Sequence, residues 1–292
     1  MNSRPSDLLR LAIPNKGRIA EPISNLIEKS GIHIINGGDR QLIAKTVDPH
    51  IEILYVRPID IPEYVAQGVA DLGITGLDMV AERGSDVVEL LDLRLGRARL
   101  VVAVPEDSEY SDLRDLSGKK IATEFPGITR SFFGDRGIDV SVVSVSGACE
   151  AAPHLGIADA IVDLTSSGTT LSTNHLVILA DVFSSSTWLI ANRSSSTLHK
   201  EKIDEITLAL DSVIRAKGQC YLMMNVRREC LDEIRSMLPG LSGPTVMDVA
   251  SEQNLVAVHA VVAEERVYQL INTVKRAGAK DILVMDVQRM IP

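Results

Sequence analysis

Along the first two-thirds of the chain, short β-branched apolar runs alternate with stretches whose apolar residues recur every three to four positions. That is the pattern of strand–helix–strand units around a sheet. The strand-like runs are LLRLAIP, IEILYVR, ARLVVAVP, KKIATEFP, VSVVSV, AIVDL and LVILADV. Helical spacing predicts GRIAEPISNLIEKSG, with Ile19, Ile23, Leu26 and Ile27 on one face and Gly31 as a stop, and then IPEYVAQGVA and LDMVAERG. Strands joined in this way predict a largely parallel sheet. The stretch STWLIANRSSSTLHK changes character before a long amphipathic helix, EKIDEITLALDSVIRAKG, whose buried stripe is Ile203, Ile206, Leu210, Val213 and Ile214. From Gln219 the runs shorten to the order β-α-β-β-α-β, a ferredoxin-like unit of about 75 residues and large enough to be its own domain.

Composition narrows the class. At 292 residues the chain predicts two or three folding units, with the 45% hydrophobic and 24% charged residues of an ordinary soluble protein. No apolar run approaches the length of a membrane span, and the opening MNSRPSDLLRLAIP lacks the apolar stretch of a signal peptide. The expectation is a cytoplasmic protein with no membrane partner. Cys149, Cys220 and Cys230 form no C-x-x-C pair, which points away from a disulfide framework or a zinc site. A formal charge of -9 with 3% aromatic residues argues against a nucleic-acid partner. A polyanionic ligand then has to be caught by a local cluster of cations and N–H groups.

Five polar corners, each following an apolar strand, supply such clusters. In ADAIVDLTSSGTTLS, Ile161 and Val162 end a buried strand, and Asp163, Ser166, Ser167, Gly168, Thr169 and Thr170 lead from it toward a helix at Leu171. Hydroxyls and backbone N–H groups of this kind suit a phosphate, and a carboxylate beside them suits the hydroxyls of a sugar, so the loop predicts a sugar phosphate. IPNKGR places Lys16, Gly17 and Arg18 in a strand-to-helix corner, and VRPIDI places Arg57 at a strand end. DLGITGLDMV brackets Thr75 with Gly73 and Gly76 and puts Asp78 in a first helical turn. ATEFPGITR puts Thr123 and Glu124 at a strand end, with Thr129 and Arg130 at a helix start. Each corner alone is equally an N-cap or a tight turn. Together they predict a ligand cleft on the carboxyl edge of the sheet.

The ordered set NKGR, RPIDI, DLGITGLD, ATEFPGIT, SGACEAAPHLGIADAIVDLTSSGTTL and KGQCYLMMN resembles ATP phosphoribosyltransferase, from about Leu11 to the last strand and including the C-terminal module of the family's long form. The resemblance implies an α/β fold: a two-lobed, type II periplasmic-binding-protein-like catalytic unit plus an ACT-like regulatory domain. Residues 1–98 and 181–217 would form lobe I, 99–180 lobe II and 218–292 the regulatory domain. It implies transfer of phosphoribose from phosphoribosyl pyrophosphate to N1 of ATP, the first step of histidine biosynthesis. Mg²⁺ would be carried mainly by substrate, and L-histidine would be the inhibitor of a hexamer built from dimers.

Residue by residue, the resemblance puts the 5-phosphate on Ser166 to Thr170, with Asp163 and Glu150 flanking the ribose. Lys16, Arg18 and Arg57 would meet the pyrophosphate and ATP phosphates, and Gly73, Thr75, Gly76, Asp78, Thr123 and Glu124 would complete the substrate contacts. Asn225 and Thr245 would meet the effector, although Asn225 stands where an acid is expected. Cys149 likewise stands where an aliphatic residue is expected. The alternatives are a two-lobed small-molecule sensor without catalysis and a phosphoribosyltransferase for a free base.

Overall fold

The computed structural model describes residues 7–35, 42–166, 168–238, 243–250 and 254–291. In chain order the first elements are β1 (Leu9–Pro14), α1 (Ala20–Lys29), β2 (Ile34–Ile35), β3 (Ile43–Thr46), β4 (Ile51–Val56), α2 (Ile61–Ala66), β5 (Leu72–Gly76), α3 (Leu77–Arg83) and β6 (Val88–Asp92). There follow β7 (Ala98–Pro105), β8 (Lys120–Thr123), α4 (Pro126–Gly134), β9 (Ser141–Ser144), β10 (Ala160–Thr165), α5 (Thr169–Thr173) and β11 (Leu176–Ser185). The chain then runs through β12 (Thr187–Ala191), α6 (Ser195–Leu198) and α7 (Lys200–Ala216). The last elements are β13 (Gln219–Arg227), α8 (Leu231–Met237), β14 (Thr245–Asp248), β15 (Leu255–Ala263), α9 (Glu264–Arg276) and β16 (Lys280–Asp286).

Two compact units result, Met1–Thr207 and Leu208–Pro292. The first holds a seven-stranded sheet, β2-β3-β4-β1-β5-β12-β6, and a five-stranded sheet, β11-β7-β10-β8-β9. Each has the same central pattern. A first strand (β1 or β8) lies between a second (β4 or β9) and a third (β5 or β10), all parallel, and a strand arriving from the other sheet (β12 or β7) pairs antiparallel with the third. Two such lobes exchanging one strand each make the bilobal α/β architecture expected from the sequence.

The expectation of largely parallel sheets needs correction, because both are mixed. The exchanged strands, the β2–β3–β4 edge and the outer strands β6 and β11 all pair antiparallel. Runs such as Leu100–Val104 are buried because layers cover both faces, and burial of that kind says nothing of strand direction. Apolar spacing performs better on the helices. Ile23, Leu26 and Ile27 of α1 are buried, and Gly31, at φ +87°, closes the helix in a conformation that costs glycine little. The α7 stripe of Ile203, Ile206, Leu210, Val213 and Ile214 is buried as the spacing requires.

The second unit is a four-stranded antiparallel sheet, β14-β15-β13-β16. Along β13 and β15 burial alternates at every residue, so Leu222, Met224, Val226, Val256, Val258 and Val262 face a core closed by Ile234 of α8 and Leu270 and Val274 of α9. This is the ferredoxin-like module that the β-α-β-β-α-β pattern predicts.

Candidate active site

The parallel strands of both lobes deliver the predicted corners to their carboxyl ends. Lys16 and Arg18 follow β1, Arg57 follows β4, Glu124 follows β8, and Ser166 to Thr170 follow β10. Gly17, at φ +98°, turns the first corner into open space, so Lys16 and Arg18 stand exposed on either side of it. Arg57 is exposed too, beyond the last residue of β4 and at the entry to a single turn of 3-10 helix over Pro58–Asp60. None of these three cations has an ion pair among the described residues.

Asp163 differs from the sequence expectation in one respect. The strand does not end at Val162: β10 runs on to Thr165, and the carboxylate projects from within it, half-buried, with its Oδ1 accepting the Leu164 N–H at 2.7 Å. Desolvation pushes its pKa up to about 6, and Glu150 and Glu124 push in the same direction. Glu150, from the turn over Cys149–Ala151, and Glu124, just beyond β8, therefore lie near enough to Asp163 of β10 for their charges to act on it. Glu124 is held in place by the N–H of Gly147, a residue at φ +83°. Cys149 is buried among Ala122, Ala152 and Ile161 and donates to the Ala122 carbonyl at 3.2 Å, a small apolar residue in effect, with burial driving its thiol pKa upward. Such a cluster of carboxylates repels anions and favours a group that becomes positive during reaction.

The loop beyond it contains no Lys or Arg from Ala158 to Ser172. Thr165 Oγ1 accepts the Gly168 N–H at 2.8 Å, and Gly168 sits at φ +79° ahead of the short helix α5. Ser166, Thr169 and Thr170 are exposed, and Ser167 lies outside the described residues. A cavity of about 380 Å³ opens beside Ser166, between β10 and the strands that cross from lobe to lobe.

Other predicted contacts are committed to the fold. The Thr75 hydroxyl is fully buried and donates to the Pro58 carbonyl at 3.0 Å. Thr123 is also fully buried, and its oxygen accepts the Phe125 N–H at 2.9 Å. Thr129 is buried and donates to the Phe125 carbonyl at 2.7 Å, while Arg130 is exposed. The paired glycines have packing reasons. A Cβ on Gly73 would lie 2.6 Å from Ile61 Cγ2 and 2.7 Å from Val65 Cγ2, so its absence lets α2 press against β5. A Cβ on Gly76 would lie 2.0 Å from Asp78 Oδ1. Asp78 is buried and accepts the Ser185 hydroxyl at 2.6 Å, tying α3 to the end of the outer strand β11. Hydrogen bonds inside the protein thus occupy Thr75, Asp78 and Thr123, which brace the cleft wall.

Four residues went unremarked in the sequence. Glu82 of α3 accepts the N–H groups of Gly127 and Ile128 at 2.8 and 3.0 Å, clamping the start of α4 in the other lobe. Arg97 and Arg99 line the cavity at the crossover. In the second unit Asn225 donates to Asp281 Oδ2 at 2.9 Å, so an acid stands beside the asparagine although it comes from β16. Thr245 lies opposite His259, with β15 separating it from Asn225's strand, so Asn225 and Thr245 share a sheet face roughly 12 Å apart at ordinary strand spacings.

Comparison with known proteins converges on one family. The family model for ATP phosphoribosyltransferase matches residues 57–212, and that for the HisG C-terminal domain matches 216–289. The ATP phosphoribosyltransferase of Methanococcoides burtonii is 54% identical over 285 residues, covering 98% of this chain and all of the relative. That of Methanosarcina mazei is 52% identical over 290 residues, with 98% and 100% covered. The solved ATP phosphoribosyl transferase (HisG:HisZ) complex from Thermotoga maritima superimposes with a TM-score of 0.64 at 30% identity, over 71% of this chain and 98% of that one. With the same lobes, the same C-terminal module and half of all residues shared along nearly its full length, the chain belongs to the ATP phosphoribosyltransferase family, pentosyl-transferring enzymes that carry out the first step of histidine biosynthesis.

Proposed function

We propose that the cleft at the carboxyl ends of β1, β4, β8 and β10 joins C1 of phosphoribosyl pyrophosphate to N1 of the adenine of ATP. The observation that carries this reading is the carboxylate group of Asp163, Glu150 and Glu124 placed immediately before a hydroxyl- and glycine-rich loop. The adenine N1 lone pair forms the new bond as the C1–oxygen bond to pyrophosphate breaks with inversion, and the ring carbon passes through oxocarbenium character. Asp163 and Glu150 stabilise that developing charge and accept hydrogen bonds from the ribose 2- and 3-hydroxyls, while Ser166 to Thr170 hold the 5-phosphate. Lys16, Arg18 and Arg57 meet the pyrophosphate and triphosphate. No side-chain nucleophile is needed, and most of the acceleration comes from aligning two polyanions that repel each other.

Mg²⁺ arrives on the substrates' phosphates. A phosphate-borne Mg²⁺ keeps several waters and needs few protein ligands. The divisions that follow from this reading are lobe I at 1–98 and 181–217, lobe II at 99–180 and a regulatory module at 218–292. That module binds L-histidine near Asn225 and Thr245 and packs between subunits of a hexamer. Among the described residues no helix is long and apolar enough to cross a membrane, and a biosynthetic enzyme of this class works in the cytoplasm. The test is direct: incubate the protein with ATP, phosphoribosyl pyrophosphate and Mg²⁺, and follow the near-ultraviolet absorbance of N1-ribosylated adenine together with pyrophosphate release. Absence of both products at high enzyme concentration refutes the transferase reading.

A further inference from the structure

The proposed 5-phosphate loop has an electrostatic deficit. A phosphate monoester carries close to two negative charges at neutral pH, yet the loop brings no cation of its own, and the strand it leaves carries Asp163 with Glu150 and Glu124 acting on it. Hydroxyls and N–H groups can orient such an anion without neutralising it. A side-chain counter-ion, where there is one, comes from another element.

The crossover strand supplies one. β7 pairs antiparallel with β10 so that Arg99 lies opposite Thr165, and with β11 so that Arg99 also lies opposite Ser184. Arg97 stands two residues before Arg99, just ahead of β7. The two arginines then differ in their commitments. Arg99 donates to Asp181 Oδ1 at 2.8 Å, whereas the Arg97 side chain has no ion pair or hydrogen bond among the described residues. Both line the cavity of about 380 Å³ together with Ser166, Ser184, Ser186 and Asp92. Asp92 already accepts the Arg94 N–H at 2.8 Å and the Ser186 hydroxyl at 2.9 Å. The backbone leading to Arg97 is set by Gly96, at φ +59°, where a Cβ would meet Ile19 Cγ2 at 2.9 Å and Thr187 Oγ1 at 3.1 Å. The guanidinium therefore starts from a fixed point on the crossover, with its five donors uncommitted.

We propose that Arg97 is the counter-ion of the sugar 5-phosphate, reaching across the crossover cavity to the Ser166–Thr170 loop and setting the enzyme's affinity for phosphoribosyl pyrophosphate. The proposal deepens the reading of that loop given above and rests on it. Arg97 binds and does no chemistry, so its loss raises KM for one substrate and leaves kcat within a few-fold.

The test compares Arg97→Met and Arg97→Lys with the wild-type full chain, using ribose 5-phosphate as the probe because it carries the 5-phosphate and no pyrophosphate. Calorimetric titration should show Arg97→Met binding ribose 5-phosphate roughly 10- to 100-fold more weakly, the loss of one charge-assisted contact, with Arg97→Lys in between. Steady-state KM should rise by a similar factor for phosphoribosyl pyrophosphate and stay within twofold for ATP. Thermal unfolding without ligand should be unchanged, since the side chain holds nothing in place. Equal ribose 5-phosphate binding by wild type and Arg97→Met overturns the assignment, and so does a rise confined to the KM for ATP. If ribose 5-phosphate binding depends on Arg97 but the wild type forms no product, the phosphate site stands and the transferase reading falls.

Discussion

Replacing Asp163 by Asn should make this protein more stable and less active at once, and the stability gain should depend on pH in a fixed direction. In the folded protein the carboxyl titrates near 6 against 3.8 for the exposed group, chiefly because it is desolvated and further because Glu150 and Glu124 face it. Between those values the folded state binds more protons than the unfolded one, so stability falls as pH rises from about 3.8 to 6 and then levels off. If the whole shift were felt, ionised Asp163 would cost about 3 kcal/mol at pH 8, at 1.36 kcal/mol per pH unit. Water reaches part of the carboxyl, so about half of that, ~1.5 kcal/mol, is the realistic figure. Asn removes the charge and keeps an oxygen for the Leu164 N–H. At ~2–4 °C per kcal/mol for a unit of this size, Asp163→Asn should melt about 3–6 °C above wild type at pH 8 and nearly level with it at pH 4. Its kcat/KM should fall roughly 10- to 100-fold, because the lost charge faced the ribose. Circular dichroism melts across pH 4–8 at one protein concentration, alongside kinetics at pH 8, measure both. Equal melting temperatures at pH 8, or a gain that persists undiminished at pH 4, would refute the electrostatic account. Unchanged kinetics would remove Asp163 from the ribose site.

Three further perturbations probe other parts of the fold. Gly73→Ala should cost about 1–3 kcal/mol of stability by driving a Cβ into Ile61 and Val65, and should leave the substrate KM values of the folded enzyme unchanged; a specific KM effect with normal stability would instead put a ligand against that glycine. Glu82→Ala strips two N–H groups at the start of α4 of their acceptor and should lower stability by about 1–2 kcal/mol while raising KM for both substrates, with Glu82→Gln intermediate. A kinetically normal Glu82→Ala would show that the clamp does not set the lobes' geometry. Asp281→Ala should raise the L-histidine concentration for half-inhibition at least ~10-fold without changing uninhibited turnover, because it removes the acid beside Asn225. Unaltered inhibition would place the effector elsewhere.

What the sequence made legible, and what it hid, divides along a physical line. Features that one element produces by itself were readable: the α7 stripe, the alternating burial of β13 and β15, and the polar residues that follow the apolar runs of β1, β4, β8 and β10. Strand direction was not readable, since an apolar run reports burial on two faces and β7, buried that way, is antiparallel to both neighbours. β5 was concealed by Gly73 and Gly76, which read as ligand-approach or turn residues; their missing Cβ atoms also make room for α2 and for Asp78. β12 was lost in a stretch whose polar residues follow it immediately. Residues that act across elements left no local trace. Glu82 looks like any helix-surface acid until α4 is brought to it, Arg97 like any solvated arginine until β7 is set against β10, and Asp281 like a turn residue until β16 pairs with β13.

The gathered charges also explain why such a site would be split between lobes. Carboxylates around the reacting carbon and cations around the phosphates favour opposite signs of charge, and held in one rigid wall they would pair with each other and neutralise the site. Here the acids belong to β8, β10 and the turn between them in one lobe, while Lys16, Arg18 and Arg57 follow strands of the other, with Arg97 at the crossing. None of those four cations is paired with a described carboxylate. Under the proposed function, a substrate that is anionic at both ends and becomes cationic in the middle would supply the charges each wall lacks. On that argument the proposed catalytic power resides less in any one side chain than in opposed charges kept apart until the polyanions arrive.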